Sequence, residues 1–354
     1  MRSGRCEAEA EVRSMARWFE EKGKPQGIVV SSRVRLARNI DGYVFPGRMD
    51  EETRAGFLEE TRRGLKDLDY RYVDLGRMSG IEKQALRERR VINSAIAGRQ
   101  EPMGLYLSED ESVSILLGGD DHLRIQCMQA GAGLHRSWEI LDHLDDRINE
   151  TYEYAFSQKY GYLTSFPTNM GTGMRASVIL HLPLISRERG FKHLTEEIAR
   201  MGVSLKALGA TSTGEHYGCL YSLSNQKTLG LSEEEILENV ERLSMQLAAQ
   251  ERKAENELVR TRRTEVEDEV FKSYGVLRYA RRLSYKESMM YLSSIRMGMA
   301  NGVISMKNPV NIFSLMLGSG HGSLTEYAGR PIPDDQYKVV RAEYIRSSLP
   351  DVKE

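Results

Sequence analysis

Two kinds of residue in this chain have the type and spacing to do chemistry: clustered arginines and a short acidic turn. Arg33 and Arg35 stand two apart in Gly27-Ile-Val-Val-Ser-Ser-Arg-Val-Arg-Leu-Ala-Arg38, which reads as a strand, so alternation puts both on one face. Side-by-side cations repel unless an anion or carboxylates sit between them, and a polyphosphate suits two guanidinium forks. A solvated basic edge strand is the alternative. Arg175 closes the loop Leu163-Thr-Ser-Phe-Pro-Thr-Asn-Met-Gly-Thr-Gly-Met-Arg175. There Gly171 and Gly173 can take positive φ and admit a ligand to the backbone, and Thr168, Asn169 and Thr172 offer short polar side chains. The alternative is a tight turn with a solvated arginine. The acidic turn is Gly118-Gly-Asp-Asp-His122, with Arg124 just beyond. Asp120, Asp121 and His122 could orient a cationic substrate, hold a metal, or simply make a turn. A polar stretch, Gly209 to Gly218, has Glu215 as its only acid; it reads as a loop able to close over a ligand or as a surface loop without a role.

These residues need elements to hold them. Helices are expected over Glu7 to Lys22, Glu51 to Leu68 and Phe191 to Met201, a helix followed by loop over Glu82 to Ala97, and a long amphipathic helix over Leu134 to Gln158, where apolar residues recur at steps of three and four. Strands are expected at Gly104 to Leu107, Ser112 to Leu117, Leu123 to Met128 and Ala176 to Leu182, the second and third forming a hairpin around the acidic turn. After Gly230 the chain reads as helix throughout. Ser232/Glu235, Thr264/Glu267 and Ser284/Glu287 have the spacing of capping boxes, and a last helix is expected near Asp335 to Ser347. A boundary in the region 250 to 262 divides the chain into 1–255 and a smaller helical domain, 256–354, suited to binding a partner or forming a dimer.

Composition bounds the rest. A chain of 354 residues with 40% hydrophobic content can bury a sizeable core, and Lys+Arg 50 against Asp+Glu 51 leaves no global field to draw nucleic acid or membrane. Cys6, Cys127 and Cys219 form neither a metal pattern nor a disulfide framework, so a reducing cytoplasm is the expected home, with Cys127 in the core. No apolar run approaches the roughly 18 residues of a membrane helix, and the charged N-terminus is unlike a signal peptide.

Taken together, Ser31-Ser-Arg-Val-Arg-Leu-Ala-Arg-Asn39, Asp121-His-Leu-Arg124, the 163–175 loop and Ser224-Asn-x-x-x-Leu-Gly230 resemble, in order, the motifs of the phosphagen (guanidino) kinases. The helical segment with Val270-Phe-Lys-Ser-Tyr-Gly-Val-Leu and Leu292-Ser-Ser-Ile-Arg-Met-Gly298, and the lack of a separate N-terminal substrate domain, are most like the McsB branch, the bacterial protein arginine kinases. The resemblance implies an α+β fold: a catalytic domain of antiparallel sheet flanked by helices, then a small all-helical domain for dimerisation and phosphoarginine recognition. It implies transfer of the ATP γ-phosphoryl group, with Mg2+, to arginine side chains of proteins, marking them for a Clp unfoldase and acting on a stress-gene repressor, with an activator protein as a further possible partner. By match, Ser31, Arg33, Arg35, Arg124 and Arg175 would bind ATP, with Lys206 in place of a further phosphate-binding arginine. Asp120 would be the base, Asp121 and Glu215 would orient the guanidinium, and no protein metal ligand is implied.

The sequence also departs from that pattern. Asp120 stands where the family has Glu, one methylene longer, and about 1 Å of misplacement can cost roughly a hundredfold in rate. Phe166 stands where an active-site Cys is usual, and Arg90 is the nearest match to a usual His. In the C-terminal phosphoarginine motif only Arg341 carries over. The competing reading is therefore an inactive kinase-like scaffold that binds nucleotide or protein.

Overall fold

Val34 and Leu36 alternate with Arg33 and Arg35 along the sequence, so an extended backbone sends the apolar pair one way and the cationic pair the other. The computed structural model, which describes residues 17–20, 27–209 and 215–353, shows this division at the centre of a sheet. The described elements run β1 (Val29–Arg38), α1 (Glu51–Gly64), β2 (Arg71–Asp74), α2 (Gly80–Glu88), α3 (Ser94–Ala97), β3 (Gly104–Leu107), β4 (Val113–Leu117), β5 (Leu123–Ala130) and α4 (Leu134–Asn149). They continue with β6 (Phe156–Ser157), β7 (Gly161–Tyr162), β8 (Met174–His181), α5 (Phe191–Arg200), β9 (Val203–Ala207) and β10 (Leu220–Asn225). The helices α6 (Glu233–Thr261), α7 (Arg263–Tyr279), α8 (Tyr285–Ala300), α9 (Ile312–Gly318), α10 (His321–Ala328) and α11 (Tyr337–Ser348) follow.

Eight strands pair in the order β2-β3-β4-β5-β1-β8-β10-β9, and every pairing is antiparallel. One face carries Val34, Leu36, Ile125, Cys127, Ala176 and Val178 into a core closed by α1, α4 and α6. Val34 and Leu36 are wholly buried, each contributing about 2 kcal/mol of apolar burial. On the other face Val30, Leu105, Met128, Ile179 and Leu220 join Val270, Leu292, Ile295, Leu315 and Ile345 in a second core. The C-terminal helices thus pack on the sheet face that also carries the arginines. His181 and Ser293 are hydrogen-bonded across this contact at 2.7 Å, and Arg296 donates to the carbonyl of Gly27 at 2.6 Å. Residue 255, where the sequence reading divides the chain, lies within α6, which runs unbroken for 29 residues.

Three local expectations change. The long helix stops at Asn149 rather than Gln158. Tyr152 and Phe156 keep the helical spacing but lie beyond the helix, Phe156 in β6, and between them Tyr154 bridges to Ile40 and its hydroxyl reaches Asp145 Oδ1 at 2.9 Å. Aromatics on a returning segment imitate a helix period. The capping boxes at Ser232 and Ser284 form, whereas Thr264 lies inside the first turn of α7, which starts at Arg263 without a side-chain cap. α6 extends so far that Arg262 alone separates the two helices. The helix expected over Glu7 to Lys22 falls largely outside the described residues; Arg17–Glu20 form a turn.

Candidate active site

Register brings the arginines together. Arg35 pairs with Arg175 on β8, and Arg124 on β5 lies opposite Ala37, two residues further along β1 than Arg35. Residues directly opposite share a face, so Arg33, Arg35, Arg124 and Arg175 project from one side of three adjacent strands. Arg90 joins them from the segment after α2. It donates from Nη1 to Ser31 Oγ at 3.1 Å, and its backbone sits at φ 70°, outside the usual range for a side-chain-bearing residue. Gln126, on the same face of β5, holds this strained turn by donating to the carbonyls of Arg90 and Val91 at 3.2 and 2.9 Å. Ser31 is thus buried as the support of Arg90.

The cluster is electrostatically unfinished. Burial, then the charges of Arg90, Arg124 and Arg175, push the Arg33 guanidinium well below its ordinary pKa. Burial, then Arg124, Arg33 and Arg175, does the same to Arg35, with Asp120 the one opposing charge. Burial lowers Arg90 to about 10. Arg33 Nε is buried without a hydrogen-bond partner. A polyanion would relieve both the repulsion and the orphaned donor. Arg175 is aimed by Ser224, whose Oγ accepts from Nη2 at 3.0 Å, and Asn225 stitches β10 to β8 by accepting from Ala176 N at 2.9 Å and donating to the Met174 carbonyl at 3.1 Å. The motif residues Ser224 and Asn225 therefore position the arginine strand.

At the far end of the row stands the acidic turn. Asp120 accepts from Arg124 Nη2 at 2.6 Å on one oxygen and from Arg99 Nη2 at 2.5 Å on the other. Asp121 is buried and faces inward. Its Oδ1 accepts from Asn39 Nδ2 at 2.8 Å and from the Ser165 amide at 2.6 Å, so it fixes the turn instead of reaching the open face. His122 is likewise buried: Nδ1 accepts from the Ile40 amide and Nε2 donates to the Val44 carbonyl, both at 2.9 Å, and burial lowers its pKa. Ser165 also donates to the Asp120 carbonyl at 2.7 Å, which ties the 163–175 loop to the turn. Phe166 beside it is half exposed.

The glycines of that loop have a different use from the one their spacing implies. Gly171 and Gly173 do take φ of 98° and 66°, but a Cβ at Gly171 would lie 2.4 Å from the Thr228 carbonyl oxygen, and one at Gly173 2.6 Å from that of Ala37. They admit protein backbone, not a ligand. Lys206 is exposed on β9, two strands beyond β8 on the same face, and is in register with Ser222 and Ile179, so its backbone lies roughly 16 Å from that of Arg175. Glu215 accepts from the Tyr217 hydroxyl at 2.8 Å. It precedes β10, whose start pairs with the end of β8, while the acidic turn precedes β5 at the opposite end of the strands. The starts of β5 and β10 are separated by the length of β8, roughly 25 Å, so the segments carrying Asp120 and Glu215 join the sheet at opposite ends. Arg341 is buried in the C-terminal helices, donating to the carbonyls of Ser319 and Leu283 at 2.7 and 3.1 Å and leaving Nη2 without a partner. Among the described residues no group of three His, Cys, Asp or Glu side chains could hold a metal ion, and no helix is long and apolar enough to cross a membrane.

Known proteins resemble this chain over nearly its whole length. Residues 54–254 match the model of the ATP:guanido phosphotransferase C-terminal catalytic domain, and residues 263–354 that of the protein-arginine kinase McsB C-terminal domain. The chain belongs to the protein-arginine kinase family. Curated members include the protein-arginine kinase of Desulforamulus reducens, 36% identical over 94% of this chain and 95% of its own, and that of Pelotomaculum thermopropionicum, 37% identical over 93% and 94%. Among solved structures, lombricine kinase superposes with a TM-score of 0.57 at 22% identity, covering 69% of this chain and 70% of its own. The duplicated taurocyamine kinase from Schistosoma mansoni, with bound transition-state-analog components, gives 0.57 at 24% over 65% of this chain, which spans about a third (34%) of that protein. These likenesses show the phosphagen-kinase fold. Membership makes the chain a guanidino phosphotransferase of the kinase class that uses ATP. β1, with Arg33 and Arg35, lies before the segment matched by the catalytic-domain model. The sequence offers Arg90 only as the nearest match to a usual His and gives Arg99 no role; the left-handed backbone of Arg90 and the contact of Arg99 to Asp120 single them out.

Proposed function

We propose that this chain transfers the γ-phosphoryl group of Mg-ATP to arginine side chains of proteins, with Arg33, Arg35, Arg90, Arg124 and Arg175 on the phosphates and Asp120 as the base. The observation that carries this reading is the row of arginines in which Arg33 and Arg35 have no carboxylate partner among the described residues and Arg124, at the end, is bound to Asp120. Phosphoryl transfer needs little from a protein beyond positioning and charge neutralisation, and converging guanidinium groups supply both. The acceptor needs more, because a guanidinium is cationic near neutral pH and must lose a proton as its nitrogen attacks phosphorus. Asp120 is the carboxylate beside the arginine row able to take it, while Asp121 holds the turn and Glu215 lies at the other end of the strands. Mg2+ would arrive on the phosphates, as this ion usually does when protein carboxylates are few.

The wider role follows the family: phosphoarginine marks for a Clp-type degradation system and stress regulation, in the cytoplasm, in a homodimer whose C-terminal helical domain recognises phosphoarginine through Arg341. The two arginines clasping Asp120 favour, as a second reading, a scaffold in which that carboxylate is never released. Incubating the protein with Mg-ATP and an arginine-rich unfolded protein, then locating acid-labile phosphate on arginine by mass spectrometry, separates the two. Label that disappears in Asp120→Ala is the expected result. ATP binding without any label would sink the kinase reading and leave the scaffold.

A further inference from the structure

Beside the arginine row lies a cavity of about 550 Å³, lined on one side by Arg33, Arg90 and Ser222 and on the other by Tyr285, Met289, Leu317 and His321. The first side belongs to the sheet and the segment after α2; the second belongs to α8, α9 and the start of α10. The volume is that of a small-molecule pocket, and apolar and aromatic lining with a few charged groups, here including Arg87 and Glu88 of α2, is the usual make-up of such sites. Tyr285 is 41% exposed and His321 is exposed, although His321 stacks on Tyr337 with centroids 4.0 Å apart.

Direction along β1 decides what would fill it. Arg33 lies at the cavity, Arg35 is two residues on, and Ala37, two further, faces Arg124, which is bound to Asp120. The row from Arg33 to Arg124 covers about 13 Å of strand. If transfer occurs at Asp120, the terminal phosphate lies at the Arg124 end, so the opposite end of a nucleotide is delivered at Arg33, where the cavity opens. Resting on the proposed use of ATP, we infer that the C-terminal helices build the nucleoside half of the nucleotide site, with Tyr285 and His321 presenting ring faces and Met289 and Leu317 an apolar floor to the base. The helical segment is then part of the substrate site, and nucleotide bridges it to the sheet. Arg341, whose guanidinium lies 5.9 Å from the Tyr285 ring, stands directly behind this wall.

The test is calorimetric titration of the full-length protein with Mg-ADP and, separately, with inorganic tripolyphosphate, which has the anionic half of the ligand and no base. In Tyr285→Ala/His321→Ala the affinity for ADP should fall about tenfold, within the range expected for loss of base stacking on aromatic rings, while tripolyphosphate binding stays within twofold. Leu317→Trp, which fills the cavity without touching the arginines, should exclude ADP and spare tripolyphosphate. Equal affinities for ADP in wild type and both variants, or parallel loss of both ligands, would overturn the inference and leave the kinase reading standing. Binding of neither ligand by the wild type would overturn both.

Discussion

Arg38 and its neighbours Arg33 and Arg35 share one strand and have opposite circumstances. Arg38 is buried with every need met: Nε and Nη2 bind Asp145 Oδ2 at 2.9 and 2.7 Å, Nη1 donates to the carbonyls of Ala37 and Thr172, and the guanidinium lies 3.6 Å from the Tyr162 ring centroid. Arg33 and Arg35 have no ion-pair partner among the described residues and face Arg90, Arg124 and Arg175 instead. A buried cation with a carboxylate, carbonyls and a ring around it is architecture, since removing either member strands the other in a poor solvent. Cations that face one another weaken the empty protein and gain only when an anion arrives. The chain has therefore placed its stability and its chemistry on opposite faces of β1.

Substitutions should separate the two. The largest effect is expected for Arg35→Ala, which should lower kinase activity about a thousandfold, the scale of removing one charge-stabilising donor, while the melting temperature holds or rises because repulsion is relieved. A fall in melting temperature alongside activity would dissolve the distinction. Arg38→Ala should do the reverse. Its leading effect is a loss of about 3–5 kcal/mol of stability from the stranded Asp145, read by urea titration, with nucleotide affinity unchanged in whatever fraction stays folded. Arg99→Ala should have the smallest effect. Arg99 is paired with Asp120 but partly exposed, so stability should change by less than about 1 kcal/mol. The KM for an arginine-bearing protein should fall a few-fold as a competing guanidinium leaves Asp120; an unchanged KM would show that Arg99 does not occupy the acceptor position.

The paired and unpaired arginines also mark what could be read from sequence. Period-two alternation placed Arg33 and Arg35 on one face without any knowledge of neighbours, because strand geometry is local. The same local logic found the capping boxes of α6 and α8. It could not show that Arg90 would turn left-handed to join the row or that Arg99 would reach Asp120, since both depend on contacts across the fold. Asp121 looked as available as Asp120, and only the partners Asn39 and Ser165 turn it inward. The glycines of the 163–175 loop were recognised as conformationally special, but what approaches them is the chain's own backbone at Ala37 and Thr228. Glu215 stands out in sequence as the only acid of a loop able to close, and strand direction starts β10 at the end opposite Asp120.

The unbroken course of α6 has a consequence for how such a molecule can change over generations. A flexible linker absorbs insertions with little effect on what it joins, but a helix transmits them. One added residue would turn everything beyond it by about 100° and advance it by about 1.5 Å. Since α7 begins one residue after α6 ends, the wall formed by α8 to α10 would be carried off the arginine row. Drift in length should thus be tolerated in surface turns and forbidden between Glu233 and Thr261, which makes this helix a ruler that sequence change can repaint but not recut.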